Sequence, residues 1–553
     1  MQSSSRISVT GGKQGIAPLP PPSRRDRHFP STVNQLKRIG QFAVIFAFGV
    51  SSGLAAIRGH RSLSKIIQAT VVLSQSVRPA ASPAATAAQK ARPQANLVIV
   101  ETPEARAGSI TQRFPRGSWL VRLAPAEKTP HTLSPDFFAA ADPRISFDGA
   151  RMLFSGKKTA DSTWQVWEMN ADGSGVRRVT HCPADCLKPA YLARGLIVFT
   201  AISEGSLAGA KVVDSAPRSA KPSSQRTETS QLWVSKIDGA EAHPITFGPG
   251  DFQVETVMKN GSILATARSP LLPASGQPAD RELYTVRLDG TALATLRCDH
   301  QHPAIRSQAQ ELDDGAVVFV KSPLAGSSWG GELAWIRRGA LHNAPLTGPS
   351  VRASSPQPLA GDELVVTRML ATNPQAASKP TLYTFNAAAG SFGAPIYEDA
   401  KLSAVEAVPV SAHESPRWYW STLKPELQKG FFVCLDAHRA ESVPQGKIVA
   451  KLTRVRVLTL DAATQHGRLL GEAPVEEDGS FYIAVPPDQP VRFELLDAAG
   501  HVVRAQRSWI WARSGEEHGC VGCHEDRAIA PENRWPMALR RLDTPILVGV
   551  ADK

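Results

Sequence analysis

At 553 residues, 42% of them hydrophobic and 20% charged, the chain is long enough for several domains and too apolar to be disordered throughout. Its formal net charge is +12, but residues 1–65 hold three lysines, seven arginines and one aspartate, a net +9, which leaves +3 for the other 488 residues. So neutral a body argues against nucleic acid as a partner and assigns the basic N-terminus to targeting.

Residues 1–40 are basic and rich in Pro and Ser, and read as disordered. Residues 41–57 contain no charge, and Phe42, Val44, Ile45, Phe46, Phe48, Val50 and Leu54 make a compact apolar run behind Lys37 and Arg38. A positive flank before an apolar run is an export signal. The run is short for a full span and Gly53-Leu54-Ala55 is a poor cleavage site, so a signal peptide and an uncleaved membrane anchor both stay open. Either one places the body in the periplasm or another extracytoplasmic space, anchored or secreted. Residues 58–95 then read as a flexible linker.

From Asn96 to Val410 one feature recurs: a short apolar strand centred on an aromatic residue. The centres are Trp119, Trp167, Trp233, Tyr284, Trp335 and Tyr383, at intervals of 48, 66, 51, 51 and 48 residues. A period near fifty is that of a four-stranded blade, so 96–410 reads as a six-bladed β-propeller and the protein as all-β. The long interval holds a Ser/Ala/Lys/Arg-rich insertion at 203–229. Asp148-Gly149, Asp172-Gly173, Asp238-Gly239, Asn260-Gly261, Asp289-Gly290 and Asp314-Gly315 supply the turns. Two β-sandwiches are the rival for this span, though they need no constant period. The recurring aromatics read as packing between blades. Four of the six cysteines fall outside the C-terminal motif described next. Cys182 and Cys186 can form a small loop bridge or, with His181, hold a metal; Cys298 and Cys434 read as buried thiols.

Beyond Val410 the period stops. Residues 411–440 read as a bridging segment, 441–512 as a small β-sandwich-like module, and 513–553 as a short segment that binds haem c. The last assignment rests on Cys520-Val521-Gly522-Cys523-His524, the Cys-x-x-Cys-His signal for covalent haem attachment. Two thiols at that spacing reach the two vinyl groups on one porphyrin edge, and the next residue supplies a proximal imidazole. A redox dithiol and half of a zinc site are the alternatives; the first wants a βαβ context and the second another ligand pair, and the 29 residues after His524 provide neither.

Two resemblances bear on this. The run Ile145–Ser155 followed by Val166–Gly175 resembles the repeat of propellers like that of the translocation protein TolB, which implies a fold and no activity. Propeller, small β-unit and the run Arg513–Glu525, taken together, resemble proteins related to the hydrazine synthase alpha subunit. That resemblance implies a middle propeller and one C-terminal haem c held by Cys520, Cys523 and His524. The hydrazine-forming member carries a further haem, whereas this sequence has one Cys-x-x-Cys-His; the resemblance thus implies architecture and haem attachment more than hydrazine synthesis.

A single haem c with two axial ligands passes electrons, and one with an open face can act as an oxidoreductase on a small molecule. Met537, 13 residues after His524, is the first candidate for the distal iron ligand; His518, His501, His466, His438 and His413 are the others. Electron transfer implies a redox partner protein or a small-molecule electron donor or acceptor. A protein-interaction propeller with a merely structural haem is the competing class, with its partner on the propeller face. No Ser/His/Asp set, carboxylate pair or phosphate loop stands out as catalytic.

Overall fold

The computed structural model describes residues 96–550 apart from 107–108, 126, 128, 205–227, 269–279, 297–302, 325–329, 338–339, 341, 371–378, 441–449, 462–466, 507, 523–532 and 542–544. The expected targeting segments 1–40, 41–57 and 58–95, most of the insertion, and Cys298 lie outside these residues. The described residues form strands and three short 3-10 helices, and among them no helix is long and apolar enough to cross a membrane.

Six four-stranded blades run from Leu97 to Pro409. In the second blade the strands are Ala139–Ile145, Arg151–Lys157, Gln165–Asn170 and Arg177–Arg178, in that order. The third to sixth blades repeat this order, and a single parallel pair, Arg281 with Ile305, joins the fourth to the fifth. Each blade's first strand packs against the first strands of the blades before and after it, which closes a ring. The second strands, such as LVIVET at Leu97–Thr102 and VVFVKS at Val317–Ser322, are almost continuously apolar. They have to be, because neighbouring blades cover both of their faces. All six recurring aromatics fall on the third strand of their blade. The expected all-β propeller is the observed fold.

The first blade is made from both ends of the propeller. Leu97–Thr102 pairs antiparallel with Ser403–Pro409 on one side and Trp119–Leu123 on the other. Tyr397, at the end of the sixth blade's fourth strand, donates its hydroxyl proton to buried Glu101 and so ties the sixth blade to the first.

Bulges interrupt the first strands at equivalent points, between Ala141 and Arg144, Leu187 and Ala190, Val254 and Thr256, Ser307 and Gln310, and Ser354 and Gln357. Asp142, Lys188, Gln308 and Ser355 take positive φ there, from 49° to 55°. The bulges turn polar groups towards one another around the ring. Arg113 binds Asp142 at 2.7 Å and Glu406 at 3.3 Å, and Lys188 binds Glu255 at 3.1 Å. Burial opposes ionisation of Asp142, yet Arg113 and Lys188 outweigh it and hold that carboxyl below its ordinary range. Glu406 is pushed up by burial and by the Asp142 charge.

After Pro409 the chain becomes a strap across the turns of successive blades. His413 N donates to Phe147 O, Arg417 N to Lys259 O, Ser421 Oγ to Asp289 Oδ2, and Lys424 N to Ser514 O. Gly261 is required beneath it, because its φ is +84° and a Cβ would collide with the Arg417 carbonyl. The guanidinium of Arg194 lies 4.8 Å from the Trp418 ring and 4.6 Å from that of Trp420.

Two four-stranded sheets follow, one ordered Glu517–Gly522, Gly430–Asp436, Phe481–Val485, Ile546–Leu547 and the other Gly467–Pro474, Arg454–Leu460, Val491–Leu496, Val502–Ala505. Phe432, Phe481 and Ile483 from the first sheet meet Val455, Val457, Phe493 and Leu495 from the second in one apolar core, a small sandwich. Its first sheet reaches beyond 441–512: Gly430–Asp436 comes from the stretch read as a bridge, and Glu517–Gly522 and Ile546–Leu547 from the stretch read as a separate haem segment. The reason is that both late strands pair in parallel with partners far away in sequence, which local patterning does not encode.

Candidate functional site

The first half of the Cys-x-x-Cys-His motif is a β-strand. Glu-His-Gly-Cys-Val-Gly has little strand propensity of its own, and it is held as an edge strand by a parallel ladder with Gly430–Asp436 in which Phe432 pairs with His518, Cys434 with Cys520, and Asp436 with Gly522. Alternation turns His518 and Cys520 towards the sandwich core. The His518 ring lies 5.3 Å from that of Phe432, and burial lowers its pKa. Cys520 is half-buried at the margin of the core, beside Cys434, which is the buried thiol expected at 2% exposed.

Gly522 ends the strand by pressing on the next turn. A Cβ there would lie 2.8 Å from Arg439 O and 2.9 Å from Arg439 Cβ, so only glycine lets the motif sit against residues 436–439. Cys523 and His524 fall in 523–532, outside the described residues.

The turn beneath Gly522 is a charged knot. Asp436 Oδ1 accepts from His438 N at 3.0 Å and lies 3.2 Å from His438 Nδ1. Arg534 reaches Asp436 Oδ2 at 3.4 Å and Asp478 Oδ2 at 3.1 Å, so one guanidinium ties two turns together. Asp478 in turn accepts from Met537 N at 2.9 Å, and Ser480 Oγ accepts from Ala538 N at 2.9 Å. Burial opposes the ionisation of Asp478, but the Ser480 hydroxyl, the Met537 amide and Arg534 outweigh it and hold the carboxyl low. Met537 itself is 36% exposed, on the first turn of the 3-10 helix Met537–Arg540.

Of the distal-ligand candidates, His438 and Met537 are tied to the turns at the end of the sheet where Gly522 leaves it. His413 lies on the strap, its ring 5.4 Å from that of Phe147. His501 stands beside Asp497 on a turn of the other sheet, and His466 lies outside the described residues. Reading the sequence missed Asp436 and Arg534 altogether. The Asp478 carboxylate organises both its own turn and the segment after it, a role that the local Asp478-Gly479 turn pattern does not announce. His181 is exposed, and among the described residues no group of three or more His, Cys, Asp or Glu side chains could hold a metal ion.

The donor chemistry fits a covalent haem in one testable respect. Cys520 is half-buried at the margin of the core rather than fully enclosed by it.

Comparisons with known proteins agree with this architecture. The family described as the hydrazine synthase alpha subunit middle domain matches residues 435–525, which cover the charged turn and the motif. The alpha subunit of hydrazine synthase from Kuenenia stuttgartiensis is 24% identical over 551 aligned positions, covering 78% of this chain and 66% of the relative. The chain thus spans about two thirds of that relative's length. The structure of Kuenenia stuttgartiensis hydrazine synthase superposes with a TM-score of 0.68 at 21% identity, covering 81% of this chain and 71% of that one. TolB from Acinetobacter baumannii matches at 13% identity over 57% of this chain and 66% of its own, with a TM-score of 0.39, too low to add weight.

Proposed function

We propose, from the premise that the chain is a member of the hydrazine synthase alpha-subunit-like family, that it is an exported electron-transfer protein with one haem c on Cys520, Cys523 and His524. The observation that carries this reading is the placement of Cys520, half-buried near the end of an edge strand whose last residue, Gly522, packs against the 436–439 turn. Once bound there, a haem supplies a one-electron couple. The protein's own residues do the rest. Gly522 lets the strand that carries Cys520 close against that turn. Asp436 faces Nδ1 of His438, which favours a proton on that nitrogen and leaves Nε2 as the lone-pair donor. Asp478 anchors the backbone of Met537, so either side chain has a fixed base from which to ligate.

The proposal does not extend to hydrazine synthesis. The relative's name describes a subunit, which supports a protein partner for this chain as well. A second reading, a partner-binding propeller whose haem is structural, is favoured by the strap, where Trp420 is 75% and Tyr419 43% exposed.

The test is the full chain matured in a host competent for cytochrome c assembly. The expected result is an intact mass raised by one haem, a reversible reduced-minus-oxidised spectrum, and loss of both when Cys520 and Cys523 are replaced by Ala. Wild-type protein carrying two free thiols at those positions and no haem mass would overturn it. A haem present but without a reversible couple would favour the structural reading.

A further inference from the structure

The connection from the second blade to the third contains His181-Cys182-Pro183-Ala184-Asp185-Cys186 and is held at several points. Gln165 Nε2 donates to Cys182 O at 3.0 Å and to Ala184 O at 3.1 Å, Trp164 N donates to Asp185 Oδ1 at 2.7 Å, and Cys186 N donates to Trp164 O at 2.8 Å. This frame brings the two sulfurs to 2.7 Å from each other. Carbon atoms in van der Waals contact rest at about 3.5–4 Å and a disulfide closes at about 2.05 Å, so this pair is already within reach of a bond. The two thiols are not equivalent. Cys182 is half-buried, while Cys186 is fully buried among Leu153, Val166, Tyr191 and Phe199.

We propose that Cys182 and Cys186 form a dithiol–disulfide exchange site, with Cys182 the attacking sulfur and Cys186 the resolving one, that covalently closes the loop leading into the first strand of the third blade. The co-reactant is a protein or small-molecule disulfide. The Cys182 thiolate attacks one of its sulfurs, expels the other as a thiolate and leaves a mixed disulfide. Cys186 then loses its proton and attacks the Cys182 sulfur, releasing the second thiolate. Two electrons leave the pair, and the incoming disulfide departs as two thiols carrying the two protons. The asymmetry of the thiols agrees with these roles: the hydrogen bond with Cys186 lowers the pKa of Cys182, and the same bond together with burial raises that of Cys186. The cross-link would sit two residues before Lys188, whose ammonium enters the polar ring on Glu255.

The experiment equilibrates the full-length protein with mixtures of reduced and oxidised glutathione, quenches in acid, alkylates, and reads the peptide spanning both cysteines by mass spectrometry. The expected result is a peptide that takes two labels under reducing mixtures and none under oxidising ones, its unlabelled mass lower by two hydrogens. Cys186→Ser should trap glutathione on Cys182 on the order of tenfold more than Cys182→Ser traps it on Cys186. Should either variant fail to fold, the wild-type titration decides alone. Two labels at every mixture would overturn the proposal, as would protection of both thiols that only a metal chelator relieves. Greater trapping on Cys186 would overturn the assignment of roles. None of these readouts depends on haem.

Discussion

Trp511 of the C-terminal sandwich donates its indole N–H to the carbonyl of Gly290 in the fourth blade, at 3.1 Å. Its ring is 1% exposed and stands edge-on to Phe247 at 5.9 Å and Phe252 at 5.7 Å, inside a core that otherwise belongs to the propeller. Glu516 reinforces the joint by accepting from Ala292 N at 2.9 Å and Arg513 N at 2.8 Å. The module that carries the motif is thereby fixed to the propeller. Truncation at Trp511 should cost about 3–5 kcal/mol, the range for a buried Trp to Ala change. Trp511→Ala is expected to separate one unfolding transition into two and to expose the strap 411–429 to protease. A single unshifted transition in calorimetry would show that the joint does not couple them.

Asp478 gives the site a pH dependence. Its folded pKa lies below the value of 3.8 taken for the unfolded group. The stabilisation is therefore complete above that value, begins to fade as pH falls past 3.8, and is gone once pH has dropped through the lower folded pKa. Amide protection at residues 537–540, followed by hydrogen exchange, should track this. Asp478→Asn should abolish the dependence and lower protection at neutral pH by roughly ten- to a hundredfold, the size of one hydrogen bond to a charged group.

The second axial position separates His438 from Met537. With Nδ1 facing Asp436, His438 is the better prepared donor, so His438→Ala in haem-loaded protein is expected to open the iron to carbon monoxide and raise its spin state. Met537→Ala should leave the spectrum unchanged. The opposite pair of results, with loss of a methionine-to-iron charge-transfer band, would assign Met537.

Export is checked separately. A phosphatase reporter joined after residue 96 is expected to be active in a bacterial host, because the basic flank and the apolar run 41–57 precede it. Activity confined to a cytoplasmic reporter at the same position would sink the localisation.

The propeller was legible because its signals are local. An aromatic on the third strand of every blade and the Asp-Gly or Asn-Gly turns of blades two to five can be counted along the chain, and the turn glycines do take positive φ, from 75° at Gly149 to 91° at Gly173. The site was legible only as a motif. The pairing of Cys434 with Cys520 joins strands 86 positions apart, and the bridging of Asp436 and Asp478 by Arg534 joins three separate segments. Such groupings depend on register between distant strands, and no short window of sequence contains them. The sandwich boundary was misjudged for the same cause: Glu517–Gly522 has no apolar alternation to announce a strand, and its partner supplies the hydrophobic face.

Pairing Leu97–Thr102 with Ser403–Pro409 also sets the order in which the molecule can be assembled. Blades two to six can each gather from neighbouring hairpins, but the first cannot finish until some three hundred residues more have arrived. Loop closure over that distance is among the slowest steps a β-rich chain performs. A chain threaded through a membrane from its N-terminus would keep that apolar strand without its partner for most of the passage. Such an unpaired edge is an aggregation hazard for as long as Ser403–Pro409 has not arrived to cover it.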